Sequence, residues 1–176
     1  SGERIAADVI VVGIGVLPAD EVARAAGIAC DDGIIVDERT RTNVPDVYAI
    51  GDCARHPSRW ADGASIRLES VQNAHGQAAA CAANILGDPI SYEDTPSFWS
   101  DQYDAKLQMI GLPLPSHRVV AQQDPARRSI VAVYHDAGRV TAGQVVNDSK
   151  ALLRIRKALR AGGGLESLQL GFTDVS

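Results

Sequence analysis

The 176-residue chain has a formal charge of -5 at pH 7, a mildly acidic balance that argues against a general nucleic-acid binder. It is long enough to bury one good core or parts of two, yet no apolar run is long enough to span a bilayer and no signal-peptide pattern is visible. Cys30, Cys53 and Cys81 are odd in number, far apart and form neither a CxxC nor a zinc set, so they read as buried thiols in a reducing cytoplasm, with no metal expected.

Residues 1–7 make an irregular start. Residues 8–13, D-V-I-V-V-G, are a continuous apolar stretch, which predicts a strand covered on both faces. Gly13, Gly15 and Pro18 then break the run into a loop. Residues 20–26 predict a short helix with Asp20 as its N-cap and Gly27 as its stop. Residues 28–37 read as strand, Asp32-Gly33 turn and strand.

Residues 42–54, T-N-V-P-D-V-Y-A-I-G-D-C-A, place an apolar strand over 47–50 directly before Gly51-Asp52. Gly51 lets backbone approach a ligand closely. Asp52 is expected at the carboxyl end of that strand, where open α/β sheets bind ligands. An acceptor-only carboxylate there suits polyol hydroxyls. Residues 55–63 read as a polar loop. His56 has no metal-ligand spacing with His75, His117 or His135, which favours a solvated or hydrogen-bonded imidazole.

From Leu68 the pattern becomes helical. Ser70 is the expected N-cap, Val71, Ala74, Ala78, Ala82 and Ile85 recur at helical spacing, and Gly87 and Pro89 end the run. So many alanines make a thin helix that can pack closely on neighbouring backbone. Its amino end offers unpaired N–H groups and about half a positive charge. After a polar connector at 91–95, residues 96–103 concentrate aromatic side chains. Strands are predicted over 106–110, 118–121, 129–134 and 140–146, with turns at Asp124-Pro125 and Asp136-Ala137-Gly138. Their hairpin spacing implies an antiparallel sheet. Ser149 is expected to cap a last helix running to Ala161, with Leu152, Ile155 and Leu159 inward. Lys150, Arg154, Arg156, Lys157 and Arg160 lie on this helix without an acid among them. They form either a solvated face or a surface that steers an acidic partner.

Four of these stretches carry a resemblance. T-N-V-P-D-V-Y-A-I-G-D is similar to the second FAD motif of the two-dinucleotide-domain flavoprotein reductases, which implies Gly51 and Asp52 at FAD with Asp52 on the ribityl chain. A-D-V-I-V-V-G-I-G-V-L-P, at 7–18, resembles the stretch that closes their NAD(P)H domain and implies Gly13 and Gly15 near the nicotinamide. E-S-V-Q-N-A-H-G-Q-A resembles the ferredoxin reductase branch of the pyridine nucleotide-disulphide oxidoreductases. That branch includes the putidaredoxin, rubredoxin and aromatic-dioxygenase ferredoxin reductases. The match implies Glu69, Ser70, Val71 and Gln72 at the flavin ring, with the helix end beside N1 and the C2 carbonyl. P-S-F-W-S-D-Q-Y, at 96–103, resembles the opening of the carboxyl-terminal domain of the same branch. It implies an aromatic near the flavin edge, which makes Trp99 either a cofactor contact or a core residue. Ser97 stands where relatives commonly carry Trp.

No G-x-G-x-x-G occurs in the chain, although the family needs one for FAD and one for NAD(P)H. Both are expected upstream, so the chain reads as the latter part of such an enzyme. The fold class expected is mixed α/β and α+β. A remnant of a two-dinucleotide-binding-domain flavoprotein fold is followed by a carboxyl-terminal antiparallel sheet with a helix. Residues 1–18 end the NAD(P)H domain, 19–94 form the second half of the FAD domain, and 95–176 form the reductase (interface) domain. The resemblance implies electron transfer from NAD(P)H through FAD to a ferredoxin or rubredoxin, with no acid or nucleophile among the catalytic residues. The chain alone is expected to be inactive. The alternative is a non-catalytic docking or dimerisation module, such as one half of a homodimer.

Overall fold

The computed structural model describes residues 2–174, organised around two sheets. Residues 2–19 form no regular element. The strand expected at 8–13 is absent: Val9, Ile10, Val11 and Val12 are between 69% and 91% exposed. An apolar run becomes a buried strand only beside a ladder partner and beneath covering layers. The described residues supply neither.

Helix α1 (Glu21–Ala25) follows, with Asp20 at its N-cap position. Asp20 makes no side-chain cap bond; its carboxylate grips Arg24 one turn on, at 2.8 Å. Chain reversal at Asp32 and Gly33 brings Cys30 opposite Ile34, as the Asp-Gly turn predicts. The strand beyond it is short. β1 (Ile34–Ile35) runs parallel to β2 (Ala54–Pro57), which pairs antiparallel with β3 (Ser65–Arg67). β2 therefore lies where a polar loop was expected. The strand expected over 47–50 reduces to a single bridge between Arg41 and Tyr48. Gly51, at φ 76°, turns the chain into a short 3-10 turn over Gly51–Cys53. Asp52 thus sits in the turn that leads into β2, not at the tip of a strand. The core of this half is small: Val36, Ala49 and Ala54, with Ile34 against them.

Helix α2 (Val71–Ile85) has Ser70 at its N-cap, where Oγ accepts from the Asn73 amide at 3.1 Å. Its buried residues are Asn73, Gln77, Ala80 and Cys81. Of the apolar residues that recur at helical spacing, Val71 and Ile85 are 53% and 62% exposed. The inward face is polar because it meets backbone: Gln77 takes the Gly51 amide and Asn73 gives to the Leu68 carbonyl. Those bonds outweigh what a surface valine would gain by burial.

The second sheet contains β4 (Ser97–Gln102), β5 (Ala105–Gly111), β6 (Arg118–Asp124), β7 (Ser129–Asp136), β8 (Arg139–Val146) and β9 (Thr173–Asp174). Their order is β4-β5-β8-β7-β6-β9, with every neighbouring pair antiparallel. Ala137 and Gly138 both take positive φ at the β7–β8 turn, the geometry a two-residue hairpin needs. Helix α3 (Ser149–Ala161) lays Ala151, Leu152, Ile155 and Ala158 on this sheet. Asp148, not Ser149, is its cap, accepting from the Ala151 amide at 2.9 Å. The helix sits close: a Cβ on Gly143 of β8 would meet Ile155 Cδ1 at 2.8 Å. Val133, Val145, Ile155 and Leu168 are fully buried there, each burial contributing roughly 1.5–3 kcal/mol. The expected mixed class, ending in an antiparallel sheet with a helix, is therefore what the chain adopts.

Candidate functional site

A cleft of about 300 Å³ lies between the first half and the opening of the second sheet, lined by Asp52, Glu69, Ser70, Val71, Ala74, Phe98 and Trp99. Two anchors fix the Asp52 turn from behind. The Gly51 amide donates to Gln77 Oε1 at 2.7 Å, and Arg67 Nη1 donates to the Asp52 carbonyl at 3.2 Å. Gly51 is suited to its place by its positive φ. A Cβ there would make only an ordinary 3.6 Å contact with Ala74. The Asp52 side chain is exposed, and its carboxylate makes no hydrogen bond or ion pair among the described residues.

Glu69 is placed differently. Its carboxylate lies 2.6 Å from Arg67 Nη1, and Arg67 also reaches Asp32 at 3.2 Å. The Arg67 side chain is only 10% exposed. Glu69, ahead of Asp32, holds this guanidinium above its ordinary range. One carboxylate at the cleft is therefore ion-paired and one is free to accept. Beside them stands the start of α2. Ser70 Oγ serves Asn73, while the Val71 and Gln72 amides have no intrahelical acceptor. The remaining wall is Val71, Ala74, Phe98 and Trp99. Trp99 is half exposed, so it is not a core residue.

The structure thus brings Asp52, Glu69, Ser70, Val71 and Trp99 around one cleft, with Gly51 buried behind it. The Gln72 side chain turns away to Asp94, at 3.1 Å, so only its backbone amide belongs to the helix end. Gly13 and Gly15 lie in the exposed leading segment and do not line the cleft. Arg67 has no role in the sequence reading, Gln77 enters it only as a motif position, and His56, expected as a solvated or hydrogen-bonded imidazole, is hydrogen-bonded. Arg67 and Glu69 stand two residues apart at a strand end, a spacing that puts side chains on one face. Asn73 and Gln77 stand one helical turn apart, and two amides on one face of an alanine helix need partners. His56 is 3% exposed, with its Nδ1 3.0 Å from Gln77 Nε2 and its ring edge-on to Tyr92. Burial pushes this imidazole below its ordinary value.

An unpaired acceptor, a helix amino end and an apolar wall in one cleft fit a ligand that joins a polyhydroxyl chain to a flat ring with acceptor atoms on one edge. Comparison with known proteins points the same way. Residues 1–78 match the family model described as pyridine nucleotide-disulphide oxidoreductase, and residues 97–175 match that described as reductase C-terminal. The chain is 41% identical over 173 residues to the 5,5'-dehydrodivanillate O-demethylase ferredoxin reductase subunit of Sphingobium sp., covering 98% of this chain and 42% of that one. It is 41% identical, with 98% and 41% covered, to a ferredoxin–NAD(P)(+) reductase of Sphingomonas sp.. Among solved structures, the ferredoxin reductase for the CYP199A2 system of Rhodopseudomonas palustris superposes with TM-score 0.83 at 42% identity, covering 90% of this chain and 39% of that one. The reductase in a covalent putidaredoxin reductase–putidaredoxin complex gives TM-score 0.79 at 35% identity, with 92% and 38% covered. The chain spans about two fifths of the length of these relatives and belongs to the ferredoxin reductase family of the pyridine nucleotide-disulphide oxidoreductases.

Proposed function

We propose that the chain is part of an FAD enzyme that passes electrons from NAD(P)H to a ferredoxin or rubredoxin, and that alone it turns nothing over. The observation that carries this reading is the shared cleft of Asp52, the α2 amino end and the Phe98–Trp99 wall. When bound, FAD supplies the redox chemistry, taking a hydride from the nicotinamide and releasing electrons singly to an iron–sulfur protein.

The residues of this chain bind and orient. The Asp52 carboxylate accepts from ribityl hydroxyls. The Ser70–Gln72 end of α2 favours the edge of the ring where negative charge collects. Such a helix end is worth roughly 0.3–2 kcal/mol, which moves a two-electron potential by only about 10–40 mV. It tunes the cofactor and helps fix its pose. Glu69 shares the Arg67 guanidinium with Asp32, which offsets part of its negative charge beside the ring, and Trp99 shields the ring edge from water. Gly13 and Gly15 meet the nicotinamide only where the leading segment has its sheet partners. Stacked-ring hydride transfer needs position more than a proton donor, so no residue here is assigned as acid, base or nucleophile.

In domain terms, residues 1–18 close the NAD(P)H domain, 19–94 complete the FAD domain and 95–176 form the interface domain. On α3, Lys150, Arg156, Lys157 and Arg160 take part in no ion pair among the described residues. Arg154 instead caps the carbonyls of Leu168 and Gln169. The four free cations suit an acidic iron–sulfur partner. Cys30, Cys53 and Cys81 are free thiols and, among the described residues, no helix is long and apolar enough to cross a membrane; we place the enzyme in the cytoplasm. An NADH-dependent cytochrome reduction assay with added FAD and ferredoxin tests the reading. It is run on this chain and on a clone as long as the relatives. Activity in the longer protein alone is expected; activity in neither would leave a docking or dimerisation module.

A further inference from the structure

Behind the cleft lies a line of three buried polar groups that cofactor contact does not use. The Gly51 amide donates to Gln77 Oε1 at 2.7 Å, and Gln77 Nε2 lies 3.0 Å from His56 Nδ1. Gln77 is fully buried and His56 nearly so. The first donor in the line is a backbone N–H, whose proton cannot be moved, so it decides every proton after it. Gln77 must meet it with its carbonyl oxygen. The other end of that amide is then NH2, which only donates. His56 Nδ1 must therefore be a bare acceptor, with the ring neutral and its proton on Nε2. A flipped amide would set NH2 against the Gly51 N–H and leave buried donors facing each other, at a cost of the order of a lost hydrogen bond for each. Tyr92 packs edge-on against the imidazole, 5.2 Å between centroids and 68° between planes, which holds the ring in register.

We propose that Gln77 and His56 are positioning residues for Asp52. Neutral His56 orients the Gln77 amide, Gln77 holds the Gly51 amide, and the Gly51–Cys53 turn is thereby set so that Asp52 presents its carboxylate to the cleft. His56 acts only through Gln77. The consequence for cofactor binding rests on the proposed FAD reading; the proton arrangement does not, since it lies wholly within this chain.

The test is nitrogen-15 NMR on the chain as it stands. The imidazole of His56 is expected to show an unprotonated, pyridine-like Nδ1 and a protonated Nε2 at neutral pH. A proton on Nδ1 overturns the proposal. Amide exchange at Gly51 gives the second readout, with Val133 as an internal control for global opening. His56→Leu removes the acceptor and is expected to speed Gly51 exchange roughly tenfold with Val133 unchanged. His56→Asn, whose Oδ1 can stand where Nδ1 stood, is expected to return exchange to near its original rate. Equal exchange in the two variants contradicts a positioning role. If His56→Leu fails to fold, the tautomer of the unmodified ring still decides. In a flavin-binding longer protein, FAD affinity should follow the same order: unmodified, Asn variant, Leu variant. Failure of that protein to bind FAD at all would sink the cofactor reading while leaving the tautomer result standing.

Discussion

The two halves of the molecule handle apolar residues in opposite ways. From β4 to Leu168 the aliphatic residues find each other: Val133, Val145, Ile155 and Leu168 close one core beneath a helix of the same chain. In the first half, Val9–Val12 are as apolar as any of these, yet they stand in solvent, and the core shrinks to Val36, Ala49, Ala54 and Ile34. An antiparallel sheet built from hairpins carries its ladder partners in adjacent sequence, whereas a parallel one needs strands from distant segments. The same hydrophobic pattern thus gives a finished sheet in one half and an unpaired strip in the other.

The contrast can be broken most directly at Ile155. Ile155→Ala should cost about 2–5 kcal/mol in urea unfolding, with the six-stranded sheet losing protection together. A loss under 1 kcal/mol would mean that the second half lacks a cooperative core. Next in size is an alkaline effect in the first half. Burial, with the nearby Asp94 carboxylate, pushes the Tyr92 phenol up to about 12 against an ordinary 10, Gln72 opposing. A raised phenol contributes stability that is complete below pH 10 and lost as pH climbs through 12, at most about 2–3 kcal/mol. The Gln72 amide is the polar side chain beside the Tyr92 hydroxyl, but no hydrogen bond of good geometry forms between them. Tyr92→Phe should therefore remove the alkaline loss and leave stability at pH 7 equal or slightly higher; a marked loss at pH 7 would reveal a partner for the hydroxyl. His56 works on the acid side. Its lowered value makes its contribution present above the ordinary 6.5 and lost as pH falls below it, so acid titration should loosen the first half before the second. The smallest effect separates two neighbours at α3: Asp148→Ala should cost about 0.5–2 kcal/mol and Ser149→Ala within about 0.5.

Much of this was legible in the residues. The hairpins of the second sheet follow from Asp124-Pro125 and Asp136-Ala137-Gly138, and Ser70 announces α2. Ser149 misleads because Asp148 beside it is an equally good acceptor, and only the geometry of the turn chooses between them. The inward face of α2 does not follow from the spacing of its apolar residues, which finds packing and not amides that satisfy backbone; Asn73 and Gln77 belong to the second kind. The stretch over 8–13 has no neighbour among the described residues, whereas 47–50 has one in residues 40–42 but keeps only the Arg41–Tyr48 bridge before Gly51 turns the chain. Of the cleft, Asp52, Glu69, Ser70, Val71 and Trp99 follow from their motifs; Gln77 stands inside one of those motifs, but only the fold shows that it holds the Gly51 amide, and Arg67, which holds the Asp52 carbonyl, lies outside them.

The central claim is that Asp52 and the start of α2 grip one flavin cofactor. Equilibrium FAD titration, followed by flavin fluorescence on a protein of the relatives' full length, tests it against Asp52→Ala. The account predicts affinity weakened by roughly 1.5–3 kcal/mol, about 10- to 150-fold. Identical titration curves for the two proteins would contradict it.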